Sequence, residues 1–147
     1  MILEHLPPER LRLEGRARDK KGVLAELAEL LATDRTVAFR EQVLAGLLER
    51  EEVMSTGIGQ GIAIPHARLA AAPALELAMI RYKSGIEFDS VDGKPIQLAF
   101  GVIGPPAATG AHVKLLARIA RLVKTPGATD TLLAAADLDA FRAALGS

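Results

Sequence analysis

An α/β layered domain is the fold class the sequence predicts, and three observations carry it. Segments with apolar residues at helical spacing interleave along the chain with segments of alternating or continuous apolar character, the order expected of a sheet covered by helices. Gly, Pro and Asp-Gly signals punctuate these segments. Half of the 147 residues are hydrophobic and only 3% are aromatic, so Leu, Ala, Ile and Val must fill the core, at a length suited to one domain spanning residues 1–147.

Taken in order, "ERLRLEGRA" predicts a first strand, with Leu11 and Leu13 on one side. "DKKGVLAELAELLA" predicts a helix capped by Asp19, with Val23, Leu24, Leu27, Leu30 and Leu31 inward. "AFREQVLAGLLEREE" predicts a second, burying Phe39, Val43, Leu44, Leu47 and Leu48. A glycine run then leads into "IAIPH", read as one short strand. "LELAMIRYKS" and "PIQLAFGVIG" read as buried strands, and the segment joining them contains a turn at Asp92-Gly93. The helix over "AHVKLLARIARLVK" is expected to turn Val113, Leu116, Ala120 and Val123 inward, flanked by Leu115, Ile119 and Leu122, with Thr109 as N-cap. One or two short helices close the chain, with Asp130 or Asp137 as caps. No internal repeat, linker or low-complexity tract is present.

Composition narrows the function classes. Eighteen basic residues balance eighteen acidic ones, and no Trp is present, which argues against nucleic acid and anionic membrane as partners. Without cysteine there is no disulfide framework, thiolate nucleophile or Cys-type zinc site. "MILEHLPPER" is too short and polar for a signal peptide, and no apolar run reaches spanning length, so a cytoplasmic protein is expected. His5 lies in an N-terminal segment expected to fray and is assigned no role.

"STGIGQGIAIPHAR" is where chemistry concentrates. "GIGQGI" is not G-x-G-x-x-G, no Gly-Lys-Ser/Thr follows, and the run leads from helix to strand, so a nucleotide loop is disfavoured. Gly57, Gly59 and Gly61, following Thr56, either form an anion-binding nest of backbone N–H groups or a tight loop with nothing bound. Pro65 cannot donate to a ladder, so the strand is expected to end there and leave His66 at its end. Such a histidine is either structural or a nucleophile, since imidazole is neutral and nucleophilic near pH 7.

Together these residues resemble the phosphorylation-site signature of enzyme IIA proteins of the bacterial phosphotransferase system (PTS), of the fructose/mannitol and nitrogen-regulatory type. Glu51, Ile58-Gly59, Ile62-Ala63-Ile64, Pro65-His66 and Ala67 match it without departure, and the likeness extends over nearly the whole chain. The resemblance implies a three-layer α/β/α fold with a central mixed sheet and helices on both faces. It implies that His66 accepts a phosphoryl group from phospho-HPr or its nitrogen-branch relative, with Arg50 and His112 in support and Thr56, Gly57, Gly59 and Gly61 as the phosphate-binding loop. His112 would sit in the first turn of its helix, where a neutral ring is favoured. The acceptor would be a regulatory target in the nitrogen branch, or a separate IIB protein in sugar transport. No cofactor, nucleotide or metal is expected. Lys114, Arg118 and Arg121 form either a solvated face or a rim that meets an acidic partner. Two competing readings are an interaction module that does not turn over phosphate and a metal site at His66 and His112, the latter without recognisable ligand spacing.

Overall fold

The computed structural model describes residues 2–146. Two 3-10 turns, Ile2–His5 and Pro8–Arg10, lead into a two-residue strand, β1 (Leu11–Arg12). Helices α1 (Lys20–Leu31) and α2 (Val37–Val53) follow, then the short strands β2 (Gly57–Gly59), β3 (Ile62–Ala63) and β4 (His66–Arg68). Two long strands, β5 (Glu76–Ile86) and β6 (Ile96–Gly104), form the middle of the sheet. Helices α3 (Thr109–Lys124), α4 (Ala128–Ala134) and α5 (Leu138–Gly146) complete the described chain.

The sheet runs β1-β5-β6-β3-β2, with β4 also on β6. It is mixed: β5 and β6 are antiparallel, as are β2 and β3, while β1 pairs parallel to β5 and both β3 and β4 pair parallel to β6. Period-two alternation separates its faces. Leu77 and Met79 of β5, with Leu98, Phe100 and Val102 of β6, pack beneath Leu115, Ile119, Leu132 and Phe141 of α3–α5. Ala78, Ile80, Ala99 and Ile103 face the other way, against Val23, Leu27, Val43 and Leu47 of α1 and α2. Helices therefore cover both faces, giving the three layers that the family resemblance implied.

Local expectations met different fates. Asp19 caps α1, accepting from the Gly22 N–H at 2.8 Å, and Thr36 caps α2 through Phe39. Asp137 caps α5, accepting from Ala140 N, whereas Asp130 lies within the first turn of α4 and does not cap it. Thr109 is not the N-cap of α3. The helix begins at Thr109 itself, and its hydroxyl donates to the Pro106 carbonyl at 2.8 Å. The buried stripe of α3 is His112, Leu115, Ile119 and Val123, and Val113 is 54% exposed rather than inward.

The expected first strand shrinks to Leu11–Arg12, because Pro7 and Pro8 start a 3-10 turn before it and the chain afterwards runs as an irregular strap along β5. Nor does the N-terminal segment fray: Ile2 and Leu6 are buried, and His5 Nδ1 hydrogen-bonds the Leu75 carbonyl. The strand expected over "IAIPH" is interrupted rather than ended. Ile62 and Ala63 pair with Leu98 and Ala99, and His66 resumes the same register opposite Val102. Pro65 has no N–H to give, but its carbonyl still accepts from Val102 N at 2.9 Å. His66 thus opens β4.

Candidate active site

Residues two apart on a strand share a face, so β4 presents His66 and Arg68 together while Ala67 is buried in the α1/α2 core. Helix α2 lies close above. Gly46 makes this possible, since a Cβ there would come within 2.8 Å of Leu69 Cδ2 and 3.1 Å of Ala67 Cβ. One turn further on, the helix delivers Glu49 and Arg50 to the same cleft. The first turn of α3 closes the other side with His112, followed by Leu116. The resulting open cleft has a volume of about 470 Å³.

Glu51 fixes the end of α2. Its buried carboxylate accepts from Thr56 N at 2.9 Å and Thr56 Oγ1 at 2.5 Å, and pairs with Lys20 Nζ at 2.7 Å. Arg50 Nη1 donates to the Met54 carbonyl at 2.8 Å, a cation satisfying the helix C-terminus and leaving its other N–H groups for the cleft.

The tautomer of His66 follows from its one hydrogen bond. Nδ1 is 2.8 Å from the Ile64 carbonyl, which can only accept, so Nδ1 carries the proton. Nε2 is left with its lone pair, and the half-buried side chain lines the cleft. Burial holds the ring's pKa below the ordinary histidine value, and the charges of Arg50 and Arg68 act the same way against the opposing Ile64 carbonyl and Glu51. A neutral imidazole with an available nitrogen is the consequence.

His112 is 1% exposed, and neither of its ring nitrogens has a hydrogen-bond partner. Its pKa is pushed down to about 4, first by burial and then by His66 and Arg68. The two histidine rings stand edge-on, with centroids 5.7 Å apart and planes at 65°. A buried donor without an acceptor is costly, and its position beside the cleft makes it available to a ligand there.

His66, Arg50 and His112 therefore converge, although 62 positions separate Arg50 from His112 in the sequence. Thr56, Gly57, Gly59 and Gly61 do not line this cleft. They build the β2–β3 hairpin at the sheet edge, where Gly57 packs against Ser90 and its N–H is taken by Ser55 Oγ at 3.1 Å. The Thr56 groups are committed to Glu51, and the Gly61 carbonyl accepts from Gln97 N and Leu98 N. Positive φ at Gly59 and Gly61 serves this turn.

Arg68 is the site residue that sequence reasoning missed. It lines the cleft, its Nη1 donates to Thr109 Oγ1 at 3.2 Å, and its charge reaches both histidines. Its i+2 relation to His66 on a strand was the signal that could have found it. Among the described residues, no group of three or more His, Asp or Glu side chains is placed to hold a metal ion, and no helix is long and apolar enough to cross a membrane.

Known proteins share both the sequence and the fold of this chain. A nitrogen regulatory protein of Pseudomonas aeruginosa is 34% identical, over 92% of this chain and 88% of that one. A PTS system fructose-specific EIIA component of Haloferax volcanii is 35% identical, over 88% and 84%. The crystal structure of the nitrogen regulatory protein IIA-Ntr from Neisseria meningitidis superposes with a TM-score of 0.90 at 33% identity, over 97% of each chain. The family model for the phosphoenolpyruvate-dependent sugar phosphotransferase system, EIIA 2, matches residues 4–147, and with it this chain belongs to that PTS enzyme IIA family.

Proposed function

We propose that this chain is a phosphocarrier in which His66 Nε2 takes a phosphoryl group from a phosphohistidine on an HPr-like donor protein and passes it to a second protein. The observation that carries this reading is the commitment of His66 Nδ1 to the Ile64 carbonyl, which leaves Nε2 as the free nitrogen in the cleft. In the transfer, the Nε2 lone pair forms the new N–P bond while the donor's N–P bond breaks and its electron pair returns to the donor ring. Positive charge develops on the His66 ring as that bond forms, and the Ile64 carbonyl, holding the Nδ1 proton, stabilises it. The Arg50 and Arg68 guanidiniums grip the phosphoryl oxygens, and the unpartnered buried ring of His112 donates to one of them. The N-terminal end of α3 adds its own preference for an anion.

We place the chain in the nitrogen-regulatory branch, whose acceptor is a regulatory target, because a IIA-Ntr structure superposes on it at a TM-score of 0.90 and 33% identity. The alternative is a sugar-transport IIA that donates to a separate IIB protein, and the similarity to the Haloferax fructose-specific component favours it. Incubation with phosphoenolpyruvate, enzyme I and HPr tests the first step: acid-labile label on the wild type and none on His66→Ala supports it, whereas label retained by His66→Ala overturns it. Offering labelled protein to IIB proteins then separates the branches, since onward transfer identifies transport and retention identifies signalling.

A further inference from the structure

We propose that a second cleft, at the far end of β5 from His66, is a binding site for a small multiply charged anion carrying phosphate or carboxylate groups. It lies between the strap of residues 13–18 and the end of β5 at residues 81–86, with a volume of about 590 Å³. That is within the range of about 300–1,000 Å³ found for small-molecule sites. Leu77 and His66 both pair with Val102, and Lys83 stands six residues further along β5, so the two clefts are about 20 Å apart.

Charge distinguishes this cleft within a chain whose charges balance. Arg16, Arg18, Arg81 and Lys83 line it, against the single carboxylate of Glu14. The cations Arg16, Arg18 and Lys83 are exposed and belong to none of the ion pairs among the described residues. Arg81 is only 2% exposed, yet no carboxylate among the described residues pairs with it. Nε donates to the Leu13 carbonyl, Nη1 donates to the carbonyls of Leu132, Leu133 and Ala135, and Nη2 makes no hydrogen bond among the described residues. These carbonyls at the C-terminal end of α4, with the Phe141 ring 5.9 Å from the guanidinium carbon, offset part of the charge and hold Arg81 as a fixed cation beneath the cleft.

The strap is also held in place before any ligand arrives. Buried Glu26 accepts from the backbone N–H groups of Arg16 and Ala17 at 3.0 Å and from Tyr82 OH at 2.6 Å. Gly15 N donates to the Arg81 carbonyl at 2.9 Å, and a Cβ on Gly15 would come within 2.2 Å of the Tyr82 ring. Arg16 and Arg18 stand two residues apart on the strap with Lys83 across the cleft, so several separate cations suit two anionic groups on one molecule better than a single ion. Guanidinium forks match the oxygens of both phosphate and carboxylate, which sets the ligand class.

Amide NMR titration of the full chain with sodium pyrophosphate tests the site, with citrate and inorganic phosphate as separate arms. Saturating shifts at Gly15–Arg18 and Ser84–Gly85 are expected, unchanged in His66→Ala, so the result stands apart from chemistry at His66. A stronger response to pyrophosphate or to citrate identifies the phosphate or carboxylate source. Replacing Arg16 and Arg18 together by Ala should weaken binding at least about tenfold, the loss of charge-assisted hydrogen bonds. Shifts confined to the His66 cleft, shifts that never saturate, or unchanged affinity in the double variant would each overturn the proposal.

Discussion

The buried ring of His112 meets His66 edge-on at a centroid distance of 5.7 Å, and both of its nitrogens lack partners. In the phosphocarrier reading these nitrogens wait for a phosphoryl oxygen. His112→Ala should therefore slow transfer about 10–100-fold without abolishing it, the loss of one hydrogen bond to a charged group. Single-turnover transfer from phospho-HPr measures this, and an unchanged rate would leave His112 a packing residue.

The same ring makes stability depend on pH. With its pKa lowered from 6.5 to about 4, the folded protein binds a proton less readily than the unfolded chain. Stability is therefore complete above the unfolded value and falls as pH drops from 6.5 towards 4. The loss attributable to His112 is up to about 3 kcal/mol. His66, also lowered, contributes with the same sign. Denaturant titrations between pH 7 and 4 should show a smaller acid loss in His112→Gln than in the wild type.

Arg50 and Arg68 each lower the affinity of His66 for a proton. Replacing either by Ala should raise the His66 pKa, read by NMR titration of the ring, and slow phosphoryl transfer about tenfold or more through loss of a charge-assisted hydrogen bond. A purely structural arginine would leave the titration where it was.

Gly46 sets the approach of α2 to β4. Gly46→Val should force the helix away from Ala67 and Leu69 at a cost of about 1–3 kcal/mol, the usual penalty of overpacking. Arg50 would move with it, so transfer should fall further than the stability loss explains. Glu51→Ala tests the neighbouring joint: it strands the Thr56 N–H and hydroxyl and leaves Lys20 only Asp89 as an ion partner, with an expected loss of about 1–3 kcal/mol in chemical denaturation and faster amide exchange at Thr56.

The layered fold was legible because β5 and β6 are continuous apolar runs and α1 and α2 carry regular apolar stripes with recognisable caps. The face of α3 was read one residue out of phase because a polar side chain, His112, occupies the first position of its buried stripe, leaving Val113 as the nearest apolar substitute. The strap at residues 13–18 escaped because its pairing depends on Glu26 and Tyr82, contacts that local pattern does not encode. Conformational freedom alone leaves the glycine run open between an anion nest and a tight loop with nothing bound. Its N–H groups are taken by Glu51, Ser55 and Asp92, partners fixed only by tertiary packing.

Which nitrogen of His66 receives phosphorus is the most direct question to ask of the molecule. A long-range 1H–15N spectrum of the phosphorylated protein, with 31P coupling resolved, answers it. Phosphorus coupled to Nε2, with Nδ1 still protonated toward Ile64, is the expected result. Coupling at Nδ1, or at any residue other than His66, would contradict the account.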